Sequence, residues 1–382
     1  MHMRAAVVGL LVIAMACDTG AATPLLVNVR HDLVREGIFE RNAAGDGEAD
    51  DSTAIQAAID HVAERGGGIV FVPAGTYRIA EVAIPAGVTL SGAGPERTVF
   101  RALHTSPMLL PTGGTLRGFT AYGTPTGEVS GDGWQITTEP GSGGTATCSH
   151  IIVVRDAEDV RIHNVHAMES RYDCLYVRGS RGLRVVNCRF DRAGRNIVSM
   201  VGNDEDFVFE GCHFGSLWRL YHFDIEPAGG RWVRDGLFLG CTFDGTRAGE
   251  RDSGTWGRML ILTAHDQLES RDITIAGCVF RDISLRVNGI FPGVRLLGNP
   301  VLDGHGPFFL RVETNPVGEL RDAAIRDNVF LQGDRPAERL RSGVTFTGST
   351  VFSGNTPAEF NDVPLDGSAT QGEVRANDGE GE

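Results

Sequence analysis

The chain has 382 residues, a net charge of −14 and 51 glycines, with 41% hydrophobic and 7% aromatic residues. That length holds one large domain or two ordinary ones, and abundant glycine with few aromatics favours short strands and tight turns over a helical protein. All 35 basic residues are Arg, so Schiff-base chemistry and a lysine base are excluded, and the acidic balance argues against nucleic acid as the partner.

The N-terminus reads as a targeting segment over residues 1–22. Met1 to Arg4 is a short basic start, and Ala5 to Ala16 is an apolar run too short to span a bilayer. Ala14-Met15-Ala16-Cys17 resembles a bacterial lipoprotein signal, with Ala14 in place of the usual Leu. The expectation is an exported protein, either secreted or held at the cell surface by a lipid on Cys17, with no other membrane contact. Cys148 and Cys174 could pair, though sequence does not decide connectivity, and no cysteine pair has zinc-ligand spacing.

Next in chain order comes GDGEADDSTAIQAAIDHVAERGGGIVFVPAGTYRI, residues 45–79. Ile55, Ile59 and Val62 recur at helical spacing, and Thr53 with Gln56 suits a capping box. Asp50 and Asp51 read as helix-start residues. Gly66 to Gly68 stop the helix, and a strand follows over Ile69 to Val72. Such a helix would cover the first turn of a solenoid, whose apolar strand ends would otherwise meet water. Tyr122 to Thr147 lacks a core period and reads as an excursion beside the coil.

Self-similarity begins near residue 160. VRIHNVHA ends at Ala167, LRVVNCRF at Phe190, FVFEGCHF at Phe214, GLFLGCTF at Phe243, ITIAGCVF at Phe280 and AAIRDNVF at Phe330. The first interval is 23 residues, and the others are 24, 29, 37 and 50, which reads as one period lengthened by insertion. Short alternating strands with Asn or Gly at the corners predict an all-β protein, a single-stranded parallel β-helix over residues 23–355. Equivalent positions then stack about 4.8 Å apart, so Cys188, Cys212, Cys241 and Cys278 form an internal column of free thiols. Residues 356–382, acidic and poor in apolar side chains, are expected to be a disordered tail.

The motif GDG…DDS…AIQAAID…GGG…V…PAGTY resembles the N-terminal motif of the pectate-lyase-like superfamily, which includes polygalacturonases and rhamnogalacturonases. It covers residues 45–79, and the repeats extend the likeness to about residue 355. The resemblance implies a right-handed parallel β-helix with an N-terminal capping helix, and activity on acidic polysaccharides as hydrolase, lyase or epimerase. Gly304-His305-Gly306 is similar to a glycine-flanked histidine of polygalacturonases. Their Asn-Thr-Asp, paired-Asp and Arg-Ile-Lys motifs are absent, which counts against that one activity.

One stretch carries the candidate chemistry, Leu220 to Gly230, LYHFDIEPAGG. As a strand it turns Phe223 and Ile225 inward and places His222, Asp224 and Glu226 on the other face. Stacking DCLYVRGS, NIVSMVGN and YHFDIEPA puts Tyr176, Ser199 and Asp224 in one outward column and Arg178, Val201 and Glu226 in the next. Carboxylates two residues apart lie about 6.6–6.8 Å from each other along a strand, inside the roughly 6.5–9.5 Å of inverting glycosidases. The first reading is therefore an inverting hydrolase of a uronate-containing polysaccharide, with Asp224 and Glu226 catalytic and His222 tuning them. Tyr176, Arg178, Arg195, Arg219, Tyr221 and His265 would bind substrate by stacking and by paired hydrogen bonds to sugar carboxylates.

A lyase or epimerase is the alternative, with an Arg as base. No cofactor is called for by the hydrolase; in a lyase, Asp224 and Glu226 would become ligands of calcium. A glycan-binding surface protein without turnover is the third reading. Asp173 reads as a corner residue, and Asn203 to Asp206 as a solvated turn.

Overall fold

The computed structural model describes residues 24–361 except 105–106, 124–128, 131–132, 135–149, 216–220, 228–229, 246–258, 264–269, 303–309, 312–317, 332–340, 343 and 357. The targeting segment, Cys17, Cys148, His305 and most of the acidic tail therefore lie outside the described residues. Apart from one antiparallel pair, Val129–Ser130 with Gly133–Trp134, every strand pairing in the described residues is parallel. Among the described residues twenty-one strands form one continuous sheet and twelve a second. The larger sheet covers two faces of the coil, because strands such as Arg161–Ser170 bend round a corner at Asn164.

That corner explains the turn residues. In successive turns it falls on Asn164, Asn187, Gly211, Gly240, Gly277, Gly298, Asp327 and Gly354, each with φ between 51° and 65°. Left-handed backbone disfavours a Cβ, least for Asn and Asp, whose short side chains bond locally. At Gly240 an added Cβ would meet nothing within 4 Å, so only the backbone objects. Gly240→Ala is expected to cost about 1 kcal/mol, and Gly240→Asn clearly less; urea midpoints of the two variants check this.

Inside the coil, Phe190, Phe214, Phe243 and Phe280 stack on one another, with ring centroids 5.9, 4.8 and 5.0 Å apart in turn. Next to them runs the expected column of Cys188, Cys212, Cys241 and Cys278, all buried and free. Each thiol bonds a backbone carbonyl, for example Cys212 to Val185 at 3.4 Å and Cys241 to Phe209 at 3.3 Å. Cys174 is a further buried, free thiol, which burial pushes well above the usual thiol range.

The 50-residue interval is not one turn with an insertion. Val301 pairs with Phe280 below and Phe330 above, so a whole turn lies between them. Its aromatic position is Val301 and its cysteine position is Asn299, which hid it from the repeat pattern. From that turn the column changes chemistry. The Cys278 amide donates to Asn299 Oδ1 at 2.8 Å, and Asn299, Asn328, Asn355 and Asn361 then bond side chain to side chain at 2.9–3.0 Å.

Asn361 belongs to the 3-10 helix Ala358–Asn361, whose Phe360 packs on Phe330. The coil is therefore closed by residues assigned above to the tail. At the other end the helix Ser52–Glu64 buries Ile55, Ile59 and Val62 over the first turns, as expected. The capping box does not form. Gln56 instead takes the amide N–H of Ala83 at 2.8 Å and donates to its carbonyl at 3.3 Å, which pins the helix to a strand edge. Asp51 sits at the N-cap but accepts from the Ala44 and Gly45 amides.

The acidic corner at Asn203 to Asp206 also differs from a solvated turn. Asp204 is fully buried and accepts from the Ser180 and Gly202 amides. Burial outweighs these donors and pushes its carboxyl up to about 7. Glu205 is gripped by Arg181 and Arg234.

Candidate functional site

The twelve-strand sheet carries the strand Phe223–Ile225. Phe223 is held in the core by edge-on contacts to Phe209, Phe214 and Phe238 at 4.9–5.4 Å. This anchor fixes the strand's phase. Register pairing then builds the outward column Val153, Tyr176, Ser199, Asp224, Ile261 and Arg286. The columns predicted through Tyr176, Ser199 and Asp224, and inward through Val177, Met200 and Ile225, both form.

The prediction of one exposed polar face does not hold throughout. His222 is 0% exposed, because the strand begins at Phe223 and His222 lies in the bend before it. Its Nε2 stands 3.1 Å from the carbonyl oxygen of Asp244, on the neighbouring face. Asp224 is only 5% exposed, whereas Glu226 is exposed, with its amide bonded to the Met200 carbonyl. Arg178 lies beside Arg155 in register. Arg219 and His265 lie outside the described residues.

A second row, at the corner preceding this sheet, holds His150, Asp173, Asn196 and Tyr221 in successive turns. Asn196 ties the two rows together. Its amide group donates to Asp224 Oδ2 at 2.7 Å and to Ser199 Oγ at 3.0 Å, and its Oδ1 accepts the Tyr221 N–H at 3.2 Å. Its own N–H donates to Asp173 Oδ1 at 3.1 Å. Arg195 forks onto both oxygens of Asp173 and reaches Ser199 Oγ at 3.3 Å. Tyr221, barely exposed, receives a hydrogen bond on its phenol oxygen from Arg286 at 3.2 Å, and Arg286 also donates to Asn288 Oδ1 at 3.1 Å.

Charge follows from burial and partners. Burial alone would raise Asp173, but the Arg195 guanidinium, with the Asn196 amide, holds its carboxyl below the usual range. His150 is pushed down to about 4 by burial, and its Nδ1 accepts the Asp173 N–H at 3.3 Å, as a neutral ring can. It stacks on Tyr176 with centroids 4.6 Å apart. Asp224 goes the other way. Burial first, then the charge of Glu226, raise it well above the ordinary carboxylate range, against the pull of Arg195 and the Asn196 bond. Its Oδ1 is buried with no hydrogen-bond partner among the described residues.

The arrangement thus offers a carboxyl group whose burial favours the protonated form, with one oxygen anchored and the other unmatched among the described residues, and on the same turn a phenol braced by a guanidinium. Asn196, His150 and Arg286 were not found from sequence. Each sits about one or more turns away from Asp224 in the chain, and only register brings them together.

The segment 38–114 matches the family model described as rhamnogalacturonase A/epimerase, pectate lyase-like. A mannuronan C5-epimerase of Azotobacter vinelandii is 41% identical over 105 residues, which is 25% of this chain and 6% of that protein. Among solved structures, the A-module of a second mannuronan C5-epimerase from that bacterium superposes with a TM-score of 0.56 at 18% identity, covering 91% of this chain and 98% of the module. A tailspike protein of the Acinetobacter baumannii bacteriophage Fri1, a capsular polysaccharide depolymerase, gives 0.61 at 17% identity over 86% of this chain and 58% of its own. The curated relatives are thus matched over only a small part of their length, while the fold likeness runs through nearly all of this chain. With its capped coil of parallel strands, the chain has the right-handed parallel β-helix fold of these proteins, and its segment 38–114 carries the likeness to the pectate-lyase-like superfamily.

Proposed function

We propose that the chain is an extracytoplasmic enzyme that acts on a uronate-containing polysaccharide by moving the proton beside the sugar carboxyl group, as an epimerase or lyase. The observation that carries this reading is Asp224, a buried acid whose Oδ1 has no partner among the described residues. That proton is hard to remove because the neighbouring carboxylate is already negative. A protonated acid donating from Oδ1 to the uronate carboxylate would drain that charge and stabilise the intermediate formed as the proton leaves. Tyr221 is the group placed to take the proton. The Arg286 guanidinium on its oxygen stabilises negative charge there. Return of a proton to the opposite face gives the epimer; loss of the neighbouring glycosidic oxygen, with a proton delivered to it, gives an unsaturated product.

The mannuronan C5-epimerases found among the relatives accord with this chemistry. A two-carboxylate hydrolysis by Asp224 and Glu226 accords less well, since His222, which was to tune the pair, is buried and turned to the Asp244 carbonyl. Calcium held by that pair also suits the donors poorly. Asp224 turns Oδ2 to an amide, and among the described residues no three His, Cys, Asp or Glu side chains gather as a cage.

The test is incubation with mannuronan and other polyuronates in heavy water. Deuterium at the carbon beside the carboxyl group, or ultraviolet-absorbing unsaturated ends, is the expected result. New reducing ends without either would establish hydrolysis instead. Binding with no change in the polymer would leave a glycan-binding protein.

A further inference from the structure

The outer surface of the twenty-one-strand sheet carries a pattern that neither core packing nor the reaction explains. Just before the glycine corner, register pairing stacks Glu210, Leu239, Ala276, Leu297 and Arg326 in successive turns. Their neighbours Phe209, Phe238, Ile275, Leu296 and Ile325 are buried, so this column faces outward. Leu239 is 42% exposed, one of four large apolar side chains exposed among the described residues. Ala276 and Leu297 are half-buried. Glu210 and Arg326 are exposed and make no ion pair among the described residues.

The corner residues after the three apolar members are Gly240, Gly277 and Gly298, and a Cβ on any of them would meet nothing within 4 Å. The flank of the apolar stretch is therefore bare of side chains. On its other side, half-buried Leu237 and Thr274 widen it. Single exposed apolar side chains are ordinary, but contiguous ones mark a contact surface.

The order of the column says what the contact is. From either end it runs charge, leucine, alanine, leucine, charge, and the two end charges are opposite. A two-fold axis along the strand direction through Ala276 would reverse the order of turns in a second copy. Glu210 of each copy then faces Arg326 of the other, and Leu239 faces Leu297 twice. Ala276, the smallest side chain of the five, meets itself at the centre. The two ion pairs end the apolar stretch about 19 Å apart, as a polar rim does. A two-fold axis along the coil would instead set Glu210 on Glu210 and Arg326 on Arg326, which repel.

We propose that this face joins two copies of the chain side by side, with their coils antiparallel. The Asp224 column belongs to the twelve-strand sheet, a different face, so each copy keeps it open. The dimer does not depend on the reaction assigned to Asp224.

Sedimentation of the full chain over a range of concentrations tests it. The wild type is expected to pass from monomer to dimer as concentration rises. Glu210→Arg places two like-charged pairs at the interface, as does Arg326→Glu, and each should weaken the dimer about tenfold. The two substitutions in one chain should restore it. So should a mixture of the two single variants, in which every facing pair is again opposite in sign. A wild type that stays monomeric throughout, a dimer equally strong in both single variants, or a mixture that does not associate would overturn the proposal.

Discussion

Asp224→Asn is expected to lower turnover about a hundredfold to a thousandfold, the usual loss when one donor to a developing oxyanion is removed. The amide can still face Asn196 but offers a weaker donor where the acid stood. The same substitution should make the protein more resistant to heat at alkaline pH. A carboxyl raised by folding holds its proton more tightly folded than unfolded, so its contribution is full below the ordinary carboxylate range and is lost as pH rises toward the folded value. Asp224 and Asp204, the latter at about 7, both act in this sense. Melting temperature should therefore fall between pH 5 and pH 8 in the wild type, and fall less in Asp224→Asn. Equal slopes in the two proteins would show that Asp224 is ionised throughout, and the acid role would go with it.

Removing Asp173 should be the most damaging single change to stability near the site, at about 3 kcal/mol, the lower end for breaking a buried ion pair. The low end is chosen because the Arg195 side chain is 30% exposed and can recover some hydration. Asp173→Ala strands the guanidinium, leaves the Asn196 N–H without its acceptor and frees the corner that aims Asn196 at Asp224. Adding Arg195→Leu should restore part of the stability but none of the activity. Urea unfolding of the single and double variants gives the coupling directly. A double variant as unstable as the sum of the singles would mean that the pair is not coupled.

The coil was legible because its signal is periodic. Phe and Cys recur at fixed places, and alternation alone puts Phe223 and Ile225 inside and Asp224 outside. Legibility failed where a rung changed residue type without changing role. Val301 and Asn299 do the work of Phe and Cys, and the pattern passed over them. The site was legible only in part, for a different reason. His222 follows the alternation on paper, but the strand starts one residue later and the bend turns it inward. Asn196 and Arg286 are unremarkable in sequence, 28 residues before and 62 after Asp224. Their meaning comes from sheet register, which no local pattern contains.

The thiol column has a consequence for the order of events in the life of the chain. Four cysteines one turn apart are safe from cross-linking only once the coil has closed round them, since burial then withholds access to them. Before closure they are ordinary thiols, each within a few dozen residues of the next, and oxidation joins neighbours readily. A protein delivered unfolded to an oxidising compartment would have to outrun that reaction. The asparagine rungs of the last turns carry no such deadline. For a chain delivered in that way, coil closure over Cys188 to Cys278 would be the step whose speed decides whether it matures or becomes knotted by its own sulfur.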